Sequence, residues 1–350
     1  MIKKKTANRA RLKDVAVAAG VSPTTVSLVL KDPETKRVGK KTAERILKLA
    51  KELDYRPNYS ARSLVASESH TVGLVITTLD NPFYSEISQD IIKRAKEIGY
   101  SVILSTAFAG IDDERHSVND LLDHGVDGLI LCSVMRQDPV VDELIAAEVP
   151  FVMALRSVET GPSTPPLDYI GVDNDRGAYI AVDHLIRMGH QRIAILTGDL
   201  NTSTGYNRFF GVRAAFKAHG IEPVPELILK GGDFHRTTGY RLTEQLLETE
   251  PPPTAVFAHS DHMAIGVLEC LRDRGVKVPQ ELAVIGFDDI EMAGLPGVDL
   301  TTVSQTKATM GRLAMDRLVE KLRSDSESLA KRILLEPILK IRKTCGARQT

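Results

Sequence analysis

Residues 12 to 30 constrain the fold of this 350-residue chain more than any other stretch. Leu12, Val15, Ala16 and Ala19 repeat at i, i+3, i+4 and i+7 and so form one apolar face of a short helix. Gly20 follows, the residue that most readily takes the left-handed geometry that ends a helix. Ser22 can cap a second helix, Pro23 suits its first turn, and Val26, Val29 and Leu30 supply its inward side. Two short helices joined by a tight turn fit the major groove of DNA, although any αα-hairpin shares the pattern.

Charge separates those readings. Residues 1 to 66 carry 16 Lys and Arg against 6 Asp and Glu, a net of +10, which leaves 29 against 40, or −11, for the remaining 284. A merely solvated surface does not confine one sign to the segment holding the hairpin, and a basic arm such as Lys3-Lys4-Lys5 suits phosphate contact. A third helix fits the same unit, with Ile46, Leu49, Ala50 and Leu53 inward and Lys40, Lys41, Arg45, Lys48 and Lys51 outward. Pro57 then breaks the chain, and Asn58 can cap a further segment too short to be a stable helix alone.

The order of Leu12-Lys-Asp-Val-Ala16, Ala19-Gly-Val-Ser22, Thr25-Val-Ser27, Tyr55-Arg-Pro-Asn58 and Ala61-Arg-Ser-Leu64 resembles the lactose-repressor (LacI/GalR) family of bacterial transcription regulators. The resemblance continues through Asn81-Pro-Phe-Tyr84, Val126-Asp-Gly-Leu-Ile130, Val172-Asp-Asn174, Gly189-His-Gln-Arg-Ile193, Ser260-Asp261, Ile285-Gly-Phe-Asp-Asp289 and Thr301-Thr-Val303. It implies that the segment after Pro57 is a hinge helix formed on operator binding and that Leu64 is a wedge for the minor groove. An apolar wedge between base steps costs a few kcal/mol of unstacking, offset by the contacts the kink allows. Arg62 lies beside it, and Ala61 is small enough for a symmetry-related hinge to approach. The expected DNA-facing set is therefore Lys13, Ser22, Pro23, Thr24, Thr25, Ser27 and Leu28 in the head, with Asn58, Ala61, Arg62 and Leu64 in the hinge.

Two residues depart from the family pattern. Leu28 stands where many members have arginine, so bidentate reading of guanine is excluded there and an apolar contact such as a thymine methyl is expected. Gly39 stands where a serine or threonine is usual before the third helix, so the capping and phosphate roles of that position are either lost or moved to Thr42.

Beyond residue 68, apolar runs at 72–76, 102–104, 128–131, 151–154, 193–196, 255–258 and 284–287 alternate with helical stretches at 86–98, 177–188, 211–219, 239–247 and 263–274. That alternation specifies parallel sheets covered by helices on both faces. The fold class is thus an all-α helix-turn-helix domain followed by an α/β core of two doubly wound parallel-sheet subdomains, like periplasmic binding proteins. The expected divisions are a head at 1–56, a hinge and linker at 57–68, and a core at 69–350. Within the core, the first subdomain takes 69–165 and 300–325 and the second takes 166–299 and 326–345, with the loop from Ser157 to Pro166 near the first crossing. Three crossings are implied by the resemblance.

Open α/β sheets bind small molecules at the carboxyl ends of their strands. Asn81, Phe83 and Tyr84 follow the first run, with Asp80 beside them, while Thr202, Thr204 and Arg208 follow 193–196. Phe234 and Asp233 follow 227–230, Ser260 and Asp261 follow 255–258, and Asp288 follows 284–287. Carboxylates, amides, one arginine and aromatic rings suit a polyhydroxylated effector, whose hydroxyls donate and accept while its C–H face stacks on rings. Asn81 and Asp261 are equally fit to cap helices, and Phe83 to fill a core. The resemblance places effector contacts at Arg208 and Asp288, and effector-adjacent positions at Phe234 and Gln305.

The reading is a repressor whose affinity for a near-palindromic duplex operator is set by a small molecule, a sugar or sugar derivative, with a purine co-repressor as the alternative. A homodimer is expected, without the leucine heptads that would build a tetramer. Neither a secretory signal nor a bilayer-length apolar run occurs, so a cytoplasmic protein without a membrane partner is expected. Cys132, Cys270 and Cys345 share no metal spacing, and no metal or cofactor is expected. Phosphate-loop, dinucleotide, serine-hydrolase and zinc-protease motifs are absent. The alternatives are a sugar-binding protein without DNA function, or a sugar-phosphate enzyme using Asp288 and Asp289; neither explains residues 1 to 66.

Overall fold

The computed structural model describes residues 10–33, 35–55, 69–108, 110–161, 165–324 and 329–346. The chain divides into two compact units, Met1–Ser69 and His70–Thr350. The hinge expectations at Asn58, Ala61, Arg62 and Leu64 lie outside the described residues.

The first unit contains α1 (Leu12–Ala19), α2 (Pro23–Lys31) and α3 (Lys40–Glu52). Gly20 ends α1 at φ 63°, and Ser22 caps α2, its Oγ accepting from Thr25 N at 3.1 Å. The chain bends by 104° between the two helices. Val15, Ala16, Ala19, Val26, Val29, Ala43, Ile46 and Ala50 bury together as one small core, with Leu12, Leu30, Leu49 and Tyr55 packed around it. Leu53, expected inside, is 40% exposed because α3 has already ended at Glu52. Gly39 precedes α3 without a side-chain cap.

The second unit holds two six-stranded sheets. In the first, β1 (Thr71–Ile76) lies between β2 (Ser101–Thr106) and β3 (Gly128–Leu131), and β4 (Phe151–Ala154), β5 (Tyr169–Val172) and β11 (Arg332–Leu335) follow outward, all parallel. In the second, β6 (Ile193–Thr197) lies between β7 (Ile228–Lys230) and β8 (Ala255–Ala258), followed by β9 (Ala283–Asp288), β10 (Thr301–Ser304) and an antiparallel edge strand, β12 (Ile338–Lys340). The repeated order, with the first strand of each half inside its second, is the doubly wound arrangement. Strands β3, β4, β5, β6, β8 and β9 are buried throughout, as parallel strands covered on both faces must be. The covering helices are α4 (Pro82–Glu97), α5 (Ile111–Asp123), α6 (Pro139–Ala146), α7 (Asn174–Arg187), α8 (Ser203–Ala218), α9 (Arg236–Leu247), α10 (Asp261–Asp273) and α11 (Lys307–Arg323).

The subdomain limits differ from those read in the sequence. Strand β5 pairs with β4 through Met153↔Tyr169, so the first half runs on to Val172 rather than stopping at 165. The Ser157–Pro166 loop therefore joins two strands of one sheet, and the first crossing falls at Asp173. Strand β10 belongs to the second sheet, and only α11 returns to the first half, where it packs on α4 and strands β3 to β5. Strand β11 rejoins the first sheet through Leu335↔Val172, inside the range assigned to the second half, before β12 crosses again. Short strands specified by pairing across more than 100 residues carry no local mark of which sheet they join.

Candidate functional site

The site forms where the carboxyl ends of both sheets face one another. Asn81 begins α4 as its cap, Oδ1 accepting from Phe83 N at 3.1 Å, which sets Phe83 and Tyr84 in the first turn with their rings edge to face at 5.9 Å. Pro82 at the start of that helix gives no N–H to leave unpaired. Across the cleft, α8 starts at Ser203, eight residues before the sequence pattern places it, so Thr204 and Arg208 lie one turn apart on one helical face. Phe234 follows β7, and its ring occupies the space a side chain at Gly198 would fill, where a Cβ would lie 2.1 Å from the ring. Ser260 caps α10, accepting from Met263 N at 3.1 Å.

Arg208 organises the floor. Its Nε donates to Asn174 Oδ1 at 2.8 Å, its Nη1 donates to the His259 carbonyl and lies 3.5 Å from Asp288 Oδ1, and its guanidinium stacks 3.7 Å above the Phe287 ring. None of these bonds uses Nη2. Gln305 Nε2 donates to Asp288 Oδ1 at 2.6 Å. Asp288 sits at φ 130° and Asp289 at φ 53°, a costly backbone pair secured by Lys307 Nζ, which donates to both carbonyls.

Burial governs the charges. It pushes the Asp288 carboxyl up to about 6, with Arg208 and Lys307 pulling the other way. Burial likewise lowers Arg208, which Asp288 opposes, and holds His259 well below its ordinary value so that the ring is neutral. The site is therefore a nearly neutral, low-dielectric polar floor, where a directed hydrogen bond counts for more than in water.

Two adjacent chambers share part of their lining. The inner one, a narrow space above the floor, is lined by Asn81, Phe83, Tyr84, Thr204 and Arg208, and by Phe234, Ser260, Asp288 and Gln305, all of which the sequence singled out. Leu155 and Arg156 complete it and were missed. Arg156 is buried, donating to the Ser133 carbonyl and to Tyr84 Oη, each at 3.1 Å. It lies two residues past the end of β4, so the strand-end rule that found the others could have found it. The outer, roomier chamber shares Asn81, Tyr84, Arg156 and Phe234 with the inner one and adds Glu114, Asp233 and His235. Burial, with Asp138 adding repulsion, pushes the Glu114 carboxyl up to about 8, and it is held by a short hydrogen bond from Ser133 Oγ.

Two expected contacts lie elsewhere. Thr202 is the buried cap of α8, its Oγ1 accepting from Gly205 N at 3.1 Å and donating to the Asp199 carbonyl at 2.6 Å. Asp261 is fully buried behind the site and caps no helix; its Oδ2 accepts from Ile290 N at 3.0 Å and its Oδ1 from Thr302 Oγ1 at 2.5 Å. The strand-end rule located the loop correctly, but the side chain points inward. Asp289, half of the enzyme alternative, pairs with Arg342 at 2.6 Å.

In the first unit, Lys13, Ser22, Pro23, Thr24 and Ser27 are exposed, and Thr25 and Leu28 are partly so, leaving one polar face of α2 open to a partner. Among the described residues no single helix is long and apolar enough to cross a membrane.

Comparison with known proteins agrees with this construction. Residues 11–58 match the family of bacterial regulatory proteins of the lacI type, and residues 182–345 match the periplasmic binding protein-like domain. The HTH-type transcriptional repressor PurR of Haemophilus influenzae (strain PittEE) is 34% identical over 338 residues, 96% of this chain and 98% of that protein. The ribose operon repressor of Escherichia coli (strain K12) is 35% identical over 330 residues, 94% and 98% of the two chains. Among solved structures, the lac repressor dimer bound to operator and the anti-inducer ONPF superposes with a TM-score of 0.84 at 30% identity, covering 97% of this chain and all of that one. The chain belongs to the lacI family and is a DNA-binding transcriptional repressor. Its relatives are repressors and not enzymes, which disposes of the sugar-phosphate reading.

Proposed function

We propose that this repressor binds a small polyhydroxylated molecule, of pentose or hexose size, in the cleft that the two chambers make together, and that occupancy changes its affinity for a near-palindromic operator read by a two-fold dimer. The observation that carries the ligand class is the buried Arg208–Asp288–Gln305 set opposite the rings of Phe83, Tyr84 and Phe234. A vicinal diol can accept from the arginine fork and donate to the carboxylate, while an apolar sugar face lies against a ring. Solved relatives include a transcriptional regulator CelR–cellobiose complex (TM-score 0.72, 32% identity, covering 96% of this chain and all of that one), which supports a carbohydrate. The similarity to PurR keeps a purine as the competing ligand.

In mechanism, the ligand touches residues of both halves and so favours one disposition of them. The exposed face of α2 supplies the groove contacts, with Ser22, Thr24 and Ser27 offering hydroxyls and Leu28 an apolar surface. Thermal unfolding of the full chain with pentoses, hexoses, their phosphates and purines tests the ligand class. At a ligand concentration 100 times Kd, stabilisation is about 2.7 kcal/mol, enough to raise the core transition by about 5 °C. In Arg208→Lys the charge stays beside Asp288, but the fork that holds Asn174 and the His259 carbonyl is gone, so the shift is expected to vanish. No shift with any sugar refutes the carbohydrate assignment, and a shift with a purine replaces it. Operator affinity measured by fluorescence anisotropy with and without the active compound gives the sign of regulation.

A further inference from the structure

Asp80, His235 and His262 place one carboxylate oxygen and two ring nitrogens within 4.8 Å of one another. The three come from far apart in the chain and from both halves of the core. Asp80 lies on the loop after β1 of the first sheet, whereas His235 immediately precedes α9 and His262 lies in the first turn of α10, after strands of the second sheet. Asp80 Oδ2 is 3.7 Å from His235 Nδ1, and the two imidazole rings stand 6.3 Å apart. None of the three lines the inner chamber, and His235 borders the outer one.

His262 gives the cluster its meaning. The residue is 8% exposed, and its Nδ1 is buried without a hydrogen-bond partner among the described residues. A buried polar atom left in that state costs free energy that a ligand can recover. Burial also keeps the ring neutral, the form that coordinates metal. Asp233 secures the approach by accepting from His235 N at 2.9 Å and from Thr238 Oγ1 at 2.9 Å.

We propose that Asp80, His235 and His262 bind one divalent transition-metal ion, such as Zn²⁺ or Co²⁺, which ties the two halves of the core together. Two imidazoles and one carboxylate suit such an ion, whereas Mg²⁺ and Ca²⁺ take oxygen ligands throughout. Bonds of about 2.0–2.1 Å in tetrahedral geometry put ligand atoms about 3.4 Å apart. The cluster therefore tightens by little more than an ångström on binding, with Asp80 Oδ2 and His235 Nδ1 already near that spacing at 3.7 Å. Three protein ligands leave a fourth position for water. The ion binds whether or not the cleft takes a sugar.

Titration of the purified full chain with Co²⁺, read by visible d–d absorption, and competition of Zn²⁺ against a chromophoric chelator test the site directly. One ion per chain is expected, with affinity falling about tenfold or more in His262→Ala. The double variant Asp80→Asn/His235→Gln alters only the more exposed ligands, spares the core, and is expected to weaken binding at least as much. His219→Gln, which removes the separate His219–Asp183 pair, is expected to leave affinity unchanged. Unaltered binding in the double variant, or loss of binding in His219→Gln, overturns the assignment. Neither readout involves DNA or the effector.

Discussion

Replacing Asp261 by asparagine should remove a proton from the folding equilibrium without disturbing the ligand chamber. Burial and the nearby Asp288 push the Asp261 carboxyl up to about 8, against about 3.9 in an unfolded chain. The folded form thus holds a proton that the unfolded form has released, and stability falls as pH rises from the unfolded value to the folded one. Between about pH 6.5 and pH 8 the fall from Asp261 is about 2 kcal/mol, and Glu114, also raised to about 8, adds a similar amount. His190, His259 and His262 act in the opposite sense, their lowered values costing stability as pH drops toward and below about 6.5, so the Asp261 contribution is read as the difference between wild type and variant. The substituted asparagine can keep both bonds, its carbonyl accepting from Ile290 N and its amide donating to Thr302 Oγ1. Asp261→Asn should therefore lose about half of the wild-type pH dependence, seen as a core transition that drops about 3–6 °C less between those two pH values. Scanning calorimetry at both measures it. An undiminished slope would refute the buried-proton account, and a tenfold loss of sugar affinity would show that Asp261 contacts ligand after all.

Two substitutions probe the two ends of the molecule. Gly198→Ala sets a Cβ 2.1 Å from the Phe234 ring and should drive that ring out of the cleft, weakening ligand about tenfold (about 1.4 kcal/mol) while the melting temperature changes little; isothermal titration showing unchanged affinity would deny Phe234 its stacking role. Leu28→Arg should change which base is preferred at one operator position, worth about 1–3 kcal/mol, more than it changes general DNA affinity. Selection from randomised sites that returns the wild-type preference would remove Leu28 from the reading surface.

The parts of the molecule that were legible in the sequence are those set by local physics. Gly20, Ser22 and Pro23 act within a few residues of themselves, and their helix ends stand where the spacing put them. The ends of β1, β7, β8 and β9 led to most of the chamber because an apolar run marks where a strand stops. Arg156 escaped because a charged residue after a four-residue strand reads as an ordinary loop. Thr202 and Asp261 were misplaced for a different reason, since position along the chain does not reveal whether a side chain turns toward the cleft or back into the protein. The sheet membership of β11 follows from distant pairing with β5, and β5 and β10 pair with the strand just before each, where the sequence expectation put a crossing. Likewise, Asp80, His235 and His262 share no spacing in sequence that a metal motif would show.

The crossings of the chain bear on how the protein is made. The first sheet is complete only when β11, residues 332–335, has paired with β5. Its covering helix α11 arrives almost as late, and the second sheet waits for β12 at 338–340. Neither half can close until residues 332–340 have left the ribosome, whereas the helical head has every residue of its core by Ala50. During synthesis the DNA-reading unit should fold while the ligand-sensing core is still an open chain with exposed strand edges. Truncation between the end of the head and residue 340 would then leave a folded DNA-reading unit beside a core that cannot close, a species with the reading surface and without the fold that would control it.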